Sequence, residues 1–557
     1  MPASLSCDSE TQMLTACMSA QSVLSEVGCC ACAMWNDLTP LCPTSSLSSS
    51  RLKHQRTNNQ ATTHQRHSSI CLTSPSPSLK MALRAFHGPI IHSLSPTSLE
   101  IIPSGAILVS PSGTITHLLR DIDPAAALSS IKSALSSSSQ APPTAEPLTN
   151  STLTDDSDIT LHPLPPHSFL IPGLIDTHNH APQYAQRGLG MGLPLLTWLD
   201  TLTFPNEALF SSPSHARNIY SACVTGFLRQ GVTTACYYSS LHAEATCILA
   251  EICVEKGQRG FVGKCNMTRG SPEWYCETGV ESSLRDTEEV VRFIRGLDPK
   301  GELVRPILTP RFAISCHGEV LRGLGRMVAR SKEGGYGEGG ELAVQTHFNE
   351  AEEEMRVTRE LFPEFGNETD LYESYGLLGE KTVLAHCCYM SEYELGRVKE
   401  LECGVAHCPA ANMTVGGGFM AAPVREFLRR GIKVGLGTDS GGGYSSSMLD
   451  AMRLAIVASN AREVMSGGED KGLSIAEVFY LATLGGAEVC CLEKEIGNFE
   501  VGKSFDAIVV GTAGEDQGVM TMVQEGDGLS TVFEKFVMTG DDRNITQVYV
   551  RGRLVKG

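Results

Sequence analysis

His178 and His180 are separated by one residue, Asn179, at the end of an apolar run that begins at Phe169. Alternate residues of a strand face the same side, so the two imidazoles can address one point. Zinc and similar divalent ions accept imidazole nitrogen at about 2.0–2.1 Å. In a chain with 16 histidines, an HxH pair also arises by chance. Three more residues of metal-binding type close comparable runs. His347 ends Leu342-Ala343-Val344-Gln345-Thr346-His347, His386 ends Thr382-Val383-Leu384-Ala385-His386, and Asp439 ends Val434-Gly435-Leu436-Gly437-Thr438-Asp439. Five such residues, each at the C-terminal end of an expected strand, point to a metal site. Glu350 lies three residues past His347, on the turn into an expected helix. It is either an acid–base group at the same site or one member of the exposed acidic run 350–354.

The elements that must position these residues are legible as a rhythm. Strand candidates fall at 169–178, 231–238, 259–266, 305–312, 342–347, 381–386, 403–408 and 432–438. Helical spacing lies between most of them: Ile219, Cys223 and Phe227 in 214–229, Ile248 and Ile252 in 243–256, and Leu449, Met452 and Ile456 in 446–464. Alternation of this kind gives a parallel sheet with right-handed crossovers. Eight units over roughly 300 residues predict a (β/α)8 barrel of the α/β class, with an open doubly wound sheet as the rival. In a barrel the metal-type residues collect at the C-terminal mouth, and closure brings Asp439 beside the histidine pair.

The flanks have another texture. Short strands are expected at 99–102, 105–109 and 114–116, and again at 505–510 and 547–550. The two flanks are expected to pair into one small β-sandwich. The expected division is a disordered N-terminal extension at 1–80, the first part of the sandwich at 81–120, and a low-complexity insertion at 121–168. The barrel then occupies 169–490 and the second part of the sandwich 491–557. The extension is rich in Ser, Thr, Gln and Asn and cannot bury enough apolar surface to offset its ordering entropy.

Composition limits the partners. The chain of 557 residues has 44 basic and 62 acidic residues, a net charge of −18. That balance argues against nucleic acid and anionic membranes, which need a basic face. No apolar run approaches the roughly 18 residues of a membrane helix. No Lys or Arg precedes Arg51 and no apolar signal core is visible, so the start does not read as a secretory signal. The 20 cysteines form no regular framework, which suggests reduced thiols and a cytoplasmic protein. The lone CxxC at Cys29 and Cys32 is a weak metal signal.

The run Pro172-Gly173-Leu174-Ile175-Asp176-Thr177-His178-Asn179-His180 resembles the first-strand motif of the amidohydrolase superfamily. Further strings resemble the guanine deaminases within it. They include His180-Ala181-Pro182-Gln183-Tyr184, Thr203-Phe204-Pro205, Thr309-Pro310-Arg311-Phe312, His407-Cys408-Pro409 and Gly540-Asp541-Asp542-Arg543-Asn544. The resemblance runs from about 85 to the C-terminus, is broken by 121–168 and does not cover 1–80. It implies one zinc per chain held by His178, His180, His347 and Asp439. It also implies catalytic roles for Glu350, Asp439 and His386, with His386 beside the attacking water or the developing tetrahedral centre. The implied substrate is guanine, met by His180, Gln183, Arg311, Phe312, His347, Glu350 and Asp439. A homodimer is implied as well.

Family members with two metals carry a lysine at the end of the fourth strand. The stretch 306–311 has none, which agrees with a single ion. The ligand set suits iron as well as zinc. Gln183 offers a donor and an acceptor, and Arg311 offers donors for the C6 carbonyl. Leu195 and Trp198 are either apolar walls of the pocket or plain core. One departure is Cys387-Cys388 after His386, where relatives often have Gly; it is expected to be a packing difference. Deamination of another heterocycle, such as an 8-oxopurine, a pterin or a triazine, would use the same metal site. A silent scaffold would be expected to have lost ligands, and none is missing.

Overall fold

A computed structural model describes residues 83–137, 159–416, 418–514, 518 and 520–557. The expected extension at 1–80 lies outside the described residues. Five strands come first: β1 (Leu83–Ser95), β2 (Ser98–Val109), β3 (Ile115–Leu119), β4 (Ile159–Pro163) and β5 (Ser168–Pro172). The middle of the chain supplies β6 (Leu174–His180), β7 (Val232–Tyr238), β8 (Arg259–Gly263), β9 (Cys265–Asn266) and β10 (Val304–Pro310). It continues with β11 (Ala343–Phe348), β12 (Thr382–His386), β13 (Gly404–His407) and β14 (Lys433–Leu436). The end of the chain adds β15 (Ala507–Gly511), β16 (Ile545–Val550) and β17 (Arg553–Lys556).

β6, β7, β8 and β10 to β14 are neighbours in chain order, and all pair in parallel. The short β9 resumes the third strand after Lys264 and pairs with β10. A doubly wound sheet would reverse its strand order at a switch point. Here the order never reverses, so the sheet is a (β/α)8 barrel. Among the described residues the seam between β14 and β6 is closed without a strand ladder. Thr177 Oγ1 donates to the Leu436 carbonyl at 2.9 Å, and the Asp439 N–H donates to the His178 carbonyl at 2.8 Å. Asp176 accepts from the Thr438 N–H at 3.0 Å and the Thr438 hydroxyl at 2.6 Å. Strands covered on both faces are shielded from water along their length, and β7 and β11 are buried throughout.

Helices Pro213–Arg229, Ala243–Lys256 and Met448–Met465 stand where the helical spacing places them. The first is opened by Ser212, whose hydroxyl accepts from the His215 N–H. The second is closed by Gly257 in the left-handed conformation (φ 77°).

Two strand expectations are corrected. The run 169–178 is two strands: β5 joins the flanking sheet and β6 opens the barrel. Gly173 is the joint. Its N–H donates to Asp506 at 2.9 Å, and a Cβ there would lie 2.1 Å from Thr233 Oγ1. The expected strand 305–312 stops at Pro310, which releases Arg311 and Phe312 from the ladder into the mouth. The flanks form the small β-sandwich. β1 runs antiparallel to β2 and parallel to β4 and β5, and β5 runs antiparallel to β15. The two flanks of the barrel thus share one sheet. Their common core is aromatic: Phe86 stacks on Phe505 at 4.4 Å and meets the edge of Tyr549 at 5.1 Å. Within 121–168 the chain forms more than a loop. Helix Ala127–Ser137 lays Ile131 and Leu135 over Ala85, Ala106 and Leu108, and β4 extends the sheet.

Candidate active site

β6 delivers His178 and His180, β11 delivers His347, β12 ends at His386, and the turn after β14 carries Asp439. All five are buried. The Nε2 atoms of His180 and His347 lie 3.1 Å apart. Asp439 Oδ1 is 3.2 Å from His178 Nε2 and 3.5 Å from His180 Nε2. Donors bound tetrahedrally at about 2.0–2.1 Å would sit about 3.3–3.4 Å from one another. These separations suit a shared divalent ion: His178, His180 and Asp439 lie close enough to hold one together, and His178, His347 and His386 form an overlapping group. His178 Nε2 and His386 Nε2 have no hydrogen-bond partner although both are enclosed. Buried polar atoms are rarely left so without a reason, and a ligand is one. Burial, reinforced by neighbouring imidazoles and Arg311, holds His178, His180 and His347 well below the usual imidazole range. They are neutral, as metal ligation requires.

The outer contacts fix which ring nitrogen faces inward. His347 Nδ1 donates to the Arg311 carbonyl at 2.6 Å, leaving Nε2 for the site. His386 Nδ1 donates to Asn412 Oδ1 at 2.8 Å, with the same result. His386 and Asp439 adopt left-handed backbone, φ 74° and 45°. Such conformations cost on the order of 1–3 kcal/mol each and are held where function requires them. Cys387 is also left-handed (φ 51°). The departure from Gly at this position therefore concerns the backbone as well as packing, because glycine carries no penalty there.

Glu350 faces the same mouth, so its reading as an exposed acidic residue is set aside. Its Oε2 is 3.6 Å from His386 Nε2. Burial, then the nearby Asp439 carboxylate, pushes its carboxyl well above the usual range, which favours the protonated form. The loop that carries it hangs on two further buried carboxyls. The Glu350 N–H donates to Glu354 Oε2 and the Asn349 N–H to Glu368 Oε2, each at 3.1 Å. Burial raises Glu354 to about 7 and Glu368 well above the ordinary value.

A cavity of about 380 Å³ opens over the cluster. His180, His347, Glu350 and Asp439 form its floor, and Gln183, Arg311, Phe312, Leu195 and Trp198 its walls. Leu195 and Trp198 also pack into an apolar cluster with Phe204 and Met420, so they serve as both wall and core. Sequence reasoning missed Leu199, Val415 and Gly442 in the lining. It also missed Glu207, Tyr275 and Asn412 behind it. Glu207 was the most visible of these, an acidic residue two positions past Thr203-Phe204-Pro205 in an apolar stretch. Burial pulls the Arg311 guanidinium down, and the Glu207 carboxylate more than reverses this, so the net direction is upward.

Comparison with known proteins is consistent with this geometry. Residues 169–555 match the Amidohydrolase family. The probable guanine deaminase of Schizosaccharomyces pombe is 42% identical over 400 residues, 72% of this chain and 74% of the relative. The guanine deaminase of Dictyostelium discoideum is 36% identical over 475 residues, 85% of this chain and 98% of the relative. A crystal structure of guanine deaminase from C. acetobutylicum with bound guanine superposes with a TM-score of 0.71 at 30% identity. The match covers 85% of this chain and 99% of that one.

Proposed function

The chain belongs to the amidohydrolase family and, within it, to the guanine deaminases; from that premise we propose that it hydrolyses guanine to xanthine and ammonia in the cavity above His178, His180, His347 and Asp439. The observation that carries the reading is the meeting of His180, His347 and Asp439 with Glu350, Gln183 and Arg311 around one cavity, with His178 grouped beside His180 and Asp439. The four donors would hold one zinc ion per chain. When bound, such an ion supplies electrophilic activation of water near neutral pH.

The chain's own groups account for the proton traffic. Asp439 takes a proton from the attacking water as the C2–O bond forms. Glu350 gives its proton to ring N3, so C2 becomes tetrahedral without charge building on the ring. His386, its Nδ1 committed to Asn412, presents Nε2 to the new hydroxyl. On collapse the C2–N bond breaks, the Asp439 proton goes to the departing amine, and the hydroxyl proton returns to Glu350. Ammonia leaves and both carboxyls are restored. Help of this kind is worth about 10²–10⁴-fold.

A role in purine catabolism, a homodimer and a cytoplasmic setting complete the proposal. The 13 free cysteines among the described residues support a reducing compartment. No described helix is long and apolar enough to cross a membrane. The homodimer is carried over from the resemblance, and sedimentation of the full chain tests it. The division into a 1–80 extension, flanking sandwich, 121–168 insertion and 169–490 barrel belongs to the same proposal. Ammonia release from guanine, 8-oxoguanine, adenine and cytosine tests the substrate. Turnover confined to guanine is expected; a preference for any of the others would overturn the assignment.

A further inference from the structure

Glu207 sits on the short helix Phe204–Ala208, after a π-helical turn at Leu199–Thr203. Irregular turns of this kind are often kept where a side chain must be aimed. Its carboxylate is wholly enclosed. Oε1 accepts from Gln183 Nε2 at 2.8 Å. Oε2 accepts from Arg311 Nη1 at 2.7 Å and from the Tyr275 hydroxyl at 2.7 Å. Gln183 and Arg311 line the cavity and Glu207 does not.

An ionised carboxylate only accepts hydrogen bonds. It therefore decides which end of the Gln183 amide is occupied. One amide N–H is taken by Glu207, and Oε1, buried and without a partner, remains as an acceptor. Gly441 packs against that oxygen: a Cβ there would lie 2.1 Å from it, so any side chain at 441 would displace the amide. The same carboxylate takes one Arg311 N–H and balances its charge, leaving the other guanidinium donors free to be read. The wall offers an acceptor and, beside it, donors. A ring edge with an N–H next to a carbonyl, a lactam, meets both. An aminopurine edge, with a bare ring nitrogen next to an amine, reverses both.

We propose that Glu207 is a positioning residue that sets the choice of lactam over aminopurine edges, acting through Gln183 and Arg311. The proposal rests on the guanine reading above and supplies a cause for its specificity. Guanine and 2,6-diaminopurine share the reacting C2 amine and differ at the C6 edge, so their kcat/KM ratio isolates the effect. A buried polar mismatch of this kind is worth about 10⁴–10⁵-fold in discrimination. In Glu207→Gln the new amide both donates and accepts, and the ratio should fall by about 100-fold or more, chiefly through the KM for guanine. Tyr275→Phe removes one hydrogen bond and no charge. It should raise the KM for guanine about 3- to 10-fold, with kcat moving less.

Thermal shifts with hypoxanthine and adenine read the same edge without chemistry. The wild type should respond to hypoxanthine over adenine, and Glu207→Gln should lose that preference. An unchanged guanine-to-diaminopurine ratio in both variants, or equal losses on both substrates, would overturn the role of Glu207. A wild type that prefers hypoxanthine yet releases no ammonia from guanine would instead overturn the proposed reaction while leaving the lactam-reading wall in place.

Discussion

The barrel strands have two ends with opposite chemistry. At the N-terminal end, Ile175, Phe261, Ile307 and Ala343 pack with Cys236, Ala487 and Cys490 into an apolar cluster. A few residues later the same strands deliver His178, Arg311 and His347 to the mouth. The lower cluster asks only for volume. The Cys236 and Cys490 sulfurs, 3.5 Å apart and buried, serve there as small hydrophobes. The upper cluster asks for partners: His347, His386, Gln183 and Arg311 each hold a specific hydrogen bond. Substitutions at the two ends should therefore fail in different ways, one in stability and the other in chemistry.

The largest effect belongs to the mouth. His178→Ala should lose both the ion and turnover, read by metal analysis beside guanine kinetics. Glu350→Gln should separate the two, keeping the ion while kcat falls about 10²–10⁴-fold. Wild-type turnover in Glu350→Gln would remove it from the proton path. Asn412→Ala frees the His386 ring to take the other tautomer and should cost about 10–100-fold in activity, as losses of orienting partners do. At the opposite end Phe261→Ala should destabilise the fold by about 3–5 kcal/mol in denaturant titration, with kcat and KM of the folded protein unchanged. A kinetic defect there would erase the contrast between the ends.

The smallest effect is a pH slope from the loop beneath Glu350. Glu354 has its folded value raised from 4.5 to about 7 by burial. The native state then binds more protons than the unfolded chain between those values, so this contribution falls as pH rises through that interval. Thermal melts of Glu354→Gln from pH 4.5 to 8 should show a flatter profile than the wild type. A profile as steep as that of the wild type would place the slope elsewhere.

What the sequence made legible follows the same division. His178, His180, His347, His386 and Asp439 each end an apolar run, and the C-terminal ends of barrel strands share one rim. The break inside 169–178 was not legible. Residues 169–175 run Phe-Leu-Ile-Pro-Gly-Leu-Ile without a polar break, and only the joint at Gly173 separates a sandwich strand from a barrel strand. Glu207 and Asn412 act through residues far away in the chain, so their roles depend on which helices the barrel brings together. Glu350 was ambiguous for a related reason. An acidic run reads as solvated until burial shows that two of its members, Glu350 and Glu354, are turned inward.

Chelation tests the central claim most directly. Purified full-length protein should hold one divalent ion per chain and convert guanine to xanthine. It should lose both ion and turnover in chelator and regain both on addition of zinc. Turnover that persists in the metal-stripped protein, or a loaded protein inert toward guanine, would contradict it.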